Sequence, residues 1–247
     1  MIDWQRVQWG SFAQWLSAGA TLFAVFVALF KDQIIARWRH PKLTVRALMS
    51  PPDSDKIPIW FPIGSPLPGQ RQTGRFGDCY FLRLWIKNDG DVRAEQVQVF
   101  ANKLSRRSAN GTFTTVESFL PMNLRWGYGR EAPTRAEIFN DGISPEMGMH
   151  CNLGHVTDPE CRQWLNEHLP EVGQDQTILH LETELKANNR CYLLAPGIYH
   201  LELLIAGSNC RPVSYTLELM LTGKWFEDRD KMFQDGVMMK LATNIQQ

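Results

Sequence analysis

The chain has 247 residues, with 26 Lys and Arg against 26 Asp and Glu, five cysteines, nine tryptophans and 44% hydrophobic residues. That composition excludes the disordered, collagen-like and disulfide-stapled miniprotein classes. Zero formal net charge argues against a nucleic-acid coat or a wholly basic membrane-surface protein, and the length leaves room for one large or two small cores.

Between Arg6 and Lys31 no residue is charged, and residues 16–30 are almost wholly apolar. About 20 helical residues cross a hydrocarbon core, so residues 7–30 are predicted to form a single transmembrane helix and the lipid bilayer is the first expected partner. Trp4, Trp9 and Trp15 at one end and Trp38 beyond the other suit the two interfacial belts. The flank after the helix carries Lys31, Arg37, Arg39, Lys42 and Arg46 against one acid, Asp32. The positive-inside rule then puts the N-terminus outside and the rest in the cytoplasm, as for a single-pass protein of a bacterial inner membrane. A signal peptide would have a shorter apolar run and a small-residue cleavage site, which Leu29-Phe30-Lys31-Asp32 does not offer. A buried soluble helix is the other alternative, kept open by Gln8, Gln14 and Ser17. The five cysteines fit a reducing cytoplasm without pairing. Ala20, Ala24 and Ala28 share one helix face and would let a second helix, of a protein partner or another copy, approach closely. Residues 31–41 read as a basic stalk, in which Ile34, Ile35 and Trp38 lie on one side, Arg37 and Arg39 reach lipid phosphates and Pro41 stops the helix.

From Lys42 onward the period is alternating, and residues 42–48 are predicted as a first strand. Residues 51–77 hold Pro51, Pro52, Pro58, Pro62, Pro66 and Pro68 with Gly64, Gly69, Gly74 and Gly77, a density expected to exclude any long regular element. The apolar Ile57, Trp60, Phe61 and Ile63 should fold this insertion onto the domain surface. In residues 78–100, Tyr80, Leu82, Leu84 and Ile86 share one face, Asn88-Asp89-Gly90 makes a turn, and Val97 and Val99 follow, which predicts two adjacent antiparallel strands. Further strands are expected at 112–119, after the Asn110-Gly111 turn, and at 149–153 and 177–185. A hairpin is expected from 198–206 and 213–221, joined through Gly207-Ser208-Asn209. One short helix is expected at 158–169, with Asp158 as N-cap, Pro159 at its first position and Cys161, Trp164 and Leu165 as its apolar side. The segment 223–241 should make a turn of helix and a last strand. The whole predicts a mainly β protein: a transmembrane helix, then an immunoglobulin-like antiparallel β-sandwich over residues 42–247.

Five stretches taken together carry a resemblance: Ala28-Leu29-Phe30-Lys31-Asp32, the stalk Arg37-Trp38-Arg39-His40-Pro41-Lys42-Leu43, the strands Leu82-Arg83-Leu84-Trp85-Ile86-Lys87-Asn88-Asp89-Gly90 and Ala94-Glu95-Gln96-Val97-Gln98-Val99-Phe100, and Pro196-Gly197-Ile198-Tyr199-His200-Leu201. In this order they resemble uncharacterised bacterial membrane-anchored proteins with an immunoglobulin-like domain. The resemblance implies an anchor and a fold, with no catalytic residue to transfer.

Chemistry is sparse. His150, Cys151, His155, Cys161 and His168 supply ligand types that zinc takes, but without a paired Cys or His spacing, so no metal and no cofactor is expected. No nucleophile elbow, zinc-protease motif, phosphate loop or dinucleotide fingerprint occurs. Charge is segregated: Lys103, Arg106, Arg107, Arg125, Arg130 and Arg135 against Glu117 and Glu131 give residues 100–136 plus four. Residues 137–184 carry ten acids against Arg162, which is minus nine. Arg125, Trp126, Tyr128 and Arg130 interleave cations and aromatics and form the one candidate ligand-binding patch, for a nucleotide or nucleic-acid phosphate. Pairing of these cations with the acidic stretch is the favoured alternative. The expected function is that of a non-enzymatic membrane-anchored interaction protein presenting its sandwich to a protein partner. The alternative is a sensor of nucleotide or nucleic acid that signals to the helix, in antiviral defence.

Overall fold

A computed structural model describes residues 12–63, 73–127, 140–165 and 167–242. The chain divides into two units, Met1–His40 and Pro41–Gln247. In the first, α1 (Phe12–Trp38) runs through the apolar stretch and on through the stalk, so residues 31–38 prolong the same helix. Within it Gln14–Lys31 has a mean hydropathy of 1.4 and no part of it is buried. Eighteen residues rise about 27 Å, close to the thickness of a hydrocarbon core. Residues 7–11 lie outside the described residues. The helix ends three residues before Pro41, whose ring disfavours helical geometry in the residue ahead of it.

The second unit carries β1 (Leu43–Arg46), β2 (Ser54–Ile63), β3 (Thr73–Asn88), β4 (Ala94–Arg107), β5 (Phe113–Thr115), β6 (Met122–Asn123) and β7 (Asn140–Ile143). It continues with β8 (Gly148–Thr157), β9 (Leu179–Leu181), β10 (Leu193–Leu194), β11 (Gly197–Gly207), β12 (Cys210–Leu221), the short α2 (Arg229–Lys231) and β13 (Val237–Leu241). One sheet runs β1-β3-β8-β9-β10, with β2 also on β3, and the other runs β13-β12-β11-β4-β5, with β6 and β7 on β4. The predicted inward residues meet between them: Tyr80, Leu82, Leu84 and Ile86 from β3 share a buried cluster with Val97 and Val99, with Leu201, Leu203 and Ile205, and with Leu217 and Leu219.

This is an immunoglobulin-like sandwich. β1, β3 and β8 take the places of strands A, B and E, and β4, β11 and β12 those of C, F and G. β9 stands where strand D belongs, although it follows β8 in the chain. At the start of β11 the buried Tyr199 hydroxyl donates to the carbonyl of Ala195, 2.8 Å away, which is the tyrosine corner of such folds.

The structure corrects four local expectations. First, β3 and β4 belong to different sheets, so Asn88-Asp89-Gly90 is a crossing between layers and not a hairpin turn. The fully buried Asn88 makes the crossing possible. Its Oδ1 accepts from the backbone N–H of Lys42 and Gly90, and its Nδ2 donates to the carbonyls of Val92 and Ile143. Secondly, the proline-dense segment does hold regular structure, because β2 pairs with β3 from Ser54↔Leu82 to Ile63↔Thr73. Among the described residues β2 pairs with β3 alone, and an edge strand is where proline is tolerated within a sheet.

Thirdly, the helix expected over 158–169 is reduced to a single 3-10 turn, Arg162–Leu165. Cys161, Trp164 and Leu165 nevertheless pack as foreseen, against Phe61, Cys79, Ile59 and Phe81 on the outer face of the β2–β3 pair. Fourthly, the strands at 112–119 and 177–185 shrink to three residues each in β5 and β9. The terminal hairpin β11–β12 and the closing turn and strand are as read.

Asn88→Ala would leave buried N–H and C=O groups unpaired at the crossing, at about 1–3 kcal/mol for each group left unsatisfied. Urea unfolding should show a loss of about 3 kcal/mol or more, whereas replacing the exposed Asn110 should shift the midpoint little.

Candidate functional site

The site begins with one extra residue in β8. Pairing with β3 runs Leu84↔Cys151 and Arg83↔Asn152, then jumps to Leu82↔Gly154, so Leu153 is a bulge. Side chains alternate across a strand, and one inserted residue reverses the parity beyond it. His155 would otherwise share the core face with Cys151. Past the bulge it sits opposite Phe81, on the outer face, with ring centroids 5.3 Å apart.

On that face His155 lies directly across from His180 of β9, their centroids 4.6 Å apart. Glu182, two residues on, points the same way, as period-2 alternation requires. The segment after β8 then folds back over the face. Arg162, nearly buried, fastens it by donating to the backbone carbonyls of Glu167, Gly173 and Gln176. This brings down Glu167, whose side chain is 1% exposed.

Four contacts join these groups. Glu167 Oε1 accepts from His155 Nε2 at 2.8 Å and from His180 Nδ1 at 2.7 Å. Glu182 Oε1 accepts from His155 Nδ1 at 2.7 Å. Lys186 Nζ donates to His180 Nε2 at 2.6 Å. The pattern assigns both protons to His155, making it an imidazolium between two carboxylates, and the Nδ1–H tautomer to a neutral His180. Glu167 Oε2 is buried and, among the described residues, has no hydrogen-bond partner.

Electrostatics agree with that assignment. Burial works against charge on His155, but Glu167 and Glu182 outweigh it and hold the imidazole up at about 10. Burial likewise opposes charge on the two carboxyls, yet His155 holds both down at about 2, assisted by His180. His180 is pushed down, first by burial and then by the neighbouring cations His155 and Lys186. Burial also lowers Lys186. The group is a closed charge network with a cavity of about 680 Å³ beside it, lined by Glu167 with Arg162, His168 and Asp175.

No family model, curated protein or solved structure matches this chain. The site therefore stands on its own geometry.

The five residues weighed as metal ligands in the sequence do not converge. His150 Nε2 pairs with the buried Asp53 at 3.0 Å, Cys151 faces the core, Cys161 lies in the Phe61 cluster and His168 is exposed. Only His155 belongs to a ligand-like group, and its companions are Glu167 and His180, with ligand atoms all within 4.8 Å of one another. His180 and Glu182 were readable as the polar face of a predicted strand. Glu167 fell inside the helix expected over 158–169, whereas in the structure it lies in irregular chain beyond the Arg162–Leu165 turn.

Of the candidate nucleotide patch, two residues are described. Trp126 is buried in the core, paired by a bridge to Cys151, and offers no face for stacking. Arg125 pairs with Glu184 at 3.5 Å, within the acidic stretch as the alternative reading held. Tyr128 and Arg130 lie outside the described residues. On α1, Trp15, Lys31 and the Ala20, Ala24, Ala28 stripe are exposed. Arg37 and Trp38 fall in its last turn and Arg39 is exposed beyond it, while Trp9 is outside the described residues.

Glu167→Ala would leave the buried His155 cation with Glu182 as its one carboxylate and His180 Nδ1 without its acceptor, a loss of about 3–5 kcal/mol for one broken partner of a buried pair. Glu160→Ala, at the exposed rim of the same cavity, should cost less than about 1 kcal/mol. Chemical denaturation of the two variants side by side checks the contrast.

Proposed function

We propose that this chain is a membrane-anchored, non-enzymatic interaction protein: α1 spans a bacterial inner membrane with its N-terminus outside, and the sandwich serves as a binding module in the cytoplasm. The observation that carries the reading is α1 itself. Its window Gln14–Lys31 is apolar with no part buried, and only four residues separate the helix from β1. A soluble core helix would bury one face. The basic residues after the apolar window supply the orientation through the positive-inside rule.

The protein partner docks, in this reading, on the β2–β3 arm. β8 pairs with β3 only from Cys79 onward, so among the described residues the part of β3 before it is paired with β2 alone. On this arm Trp60 and Phe76 sit directly opposite each other, and Phe76 is 72% exposed. Exposed cross-strand aromatics of this kind fit the apolar centre of a protein interface. The arm replaces the irregular, surface-packed insertion expected from the prolines, and it makes point variants a better probe than deletion of residues 51–77, which would remove β2.

The full chain should stay in the membrane fraction after alkaline carbonate washing, and a chain beginning at Pro41 should be released. Protease added to intact spheroplasts should spare the sandwich and digest it only after lysis. Digestion before lysis would reverse the orientation, and carbonate release of the full chain would remove the anchor. A Trp60→Ala, Phe76→Ala double variant should keep its unfolding temperature and lose crosslinks that wild type makes at the membrane.

A further inference from the structure

We propose that His155, Glu167 and His180 form a binding site for a divalent transition metal of the zinc type, a property the interaction reading neither needs nor implies. The donor set is two imidazole nitrogens and a carboxylate, His155 Nε2, His180 Nδ1 and Glu167, brought within 4.8 Å of one another from β8, β9 and the segment that covers them. Two histidines and one carboxylate make a three-ligand site that zinc completes with water, and the set also suits iron(II).

Three independent observations separate this group from an ordinary buried ion pair. The nitrogen of His155 that faces away from the metal position donates to Glu182 at 2.7 Å. A carboxylate behind a ligating histidine fixes the ring and its tautomer, as metal sites regularly require. Next, Glu167 Oε2 is buried with no hydrogen-bond partner among the described residues, a cost that a metal ligated by that oxygen removes. Lastly, Glu167 also lines the adjoining cavity of about 680 Å³, which gives an ion and its water a way in.

The present contacts are those of protons. Nitrogen and oxygen atoms sit 2.7–2.8 Å apart, whereas tetrahedral ligands at zinc distances lie about 3.3 Å from one another. Binding therefore needs the three groups to part by roughly 0.5 Å, which rotation of Glu167 supplies. His155 must release its Nε2 proton to solvent, keeping the Nδ1–H that Glu182 accepts, and His180 must move its proton from Nδ1 to Nε2, so the Lys186 ammonium now donating there has to withdraw. Lys186 lies at the exposed edge of the site, and on withdrawing it would give up its contacts with the Leu181 carbonyl, 3.4 Å away, and the Tyr192 ring, 4.8 Å from its centroid. Lys186 thus acts as a competitor for the metal-binding form of His180.

The test uses the full chain in detergent micelles, stripped with chelator and titrated with zinc chloride and, separately, with cobalt(II) as a coloured probe. Wild type should take up one zinc ion per chain and show the visible bands of four-coordinate cobalt. His180→Ala should lose both, and Glu182→Gln should weaken zinc binding about 10–100-fold. Far-UV circular dichroism on each variant separates lost ligands from lost fold. Lys186→Ala keeps the proposal falsifiable if His180→Ala does not fold, because it should bind zinc more tightly than wild type, an outcome no purely structural role of the network predicts. Wild type that retains no stoichiometric zinc, zinc affinity unchanged in a folded His180→Ala, or affinity unchanged or weakened in Lys186→Ala would each overturn the site.

Discussion

The sandwich depends on how the chain leaves β3. A strand with Tyr80, Leu82, Leu84 and Ile86 on one face must cover that face, and the cover comes from β4, β11 and β12 in the opposite layer. To reach that layer the chain turns at Asn88, fully buried, where backbone groups would go unpaired if the side chain did not bond to Lys42, Gly90, Val92 and Ile143. Hydrophobic burial drives the two layers together, but polar satisfaction at this corner decides that they are layers at all.

The outer face of the same sheet shows a second use of buried polarity. Part of it is covered by an apolar satellite cluster around Phe61, Cys79 and Cys161. Beside it, the bulge at Leu153 turns His155 outward and the covering segment, held by Arg162, closes over it with Glu167. Ion pairs taken out of water rarely stabilise more than an apolar cluster of similar volume would. A network with one carboxylate oxygen left unsatisfied is therefore better explained by what it can bind than by what it holds together.

Much of the fold was legible because strand alternation is a local property. The inward faces of β3, β11 and β12, the Gly207-Ser208-Asn209 turn and the Pro196-Gly197 start of β11 all follow from period and turn chemistry. The proline-dense strand β2 was not legible, because proline is excluded from paired N–H positions and the sequence does not say which side of a strand is an edge. The 158–169 segment carried real helix signals at Asp158 and Pro159, yet packing of Cys161, Trp164 and Leu165 on the sheet, and the bonds of Arg162 to carbonyls further on, ended the helix after one turn. The Arg125 to Arg130 stretch suggested a binding patch because composition does not reveal burial, and Trp126 proved to be core.

The sequence by itself determined an apolar helix of membrane length, the basic flank behind it and the alternation of a β-sandwich, since each is written in neighbouring residues. Only the tertiary structure decided which polar residues meet. His155 reaches His180 across a strand pair, and Glu167 arrives from irregular chain. Their meeting depends on a one-residue change of register in β8, which no local pattern encodes because it is set by pairing with β3. The opening balance of charges hid the same fact: acids of the 137–184 stretch do not all lie on a surface, for Glu167 and Glu182 are folded inward around a single histidine.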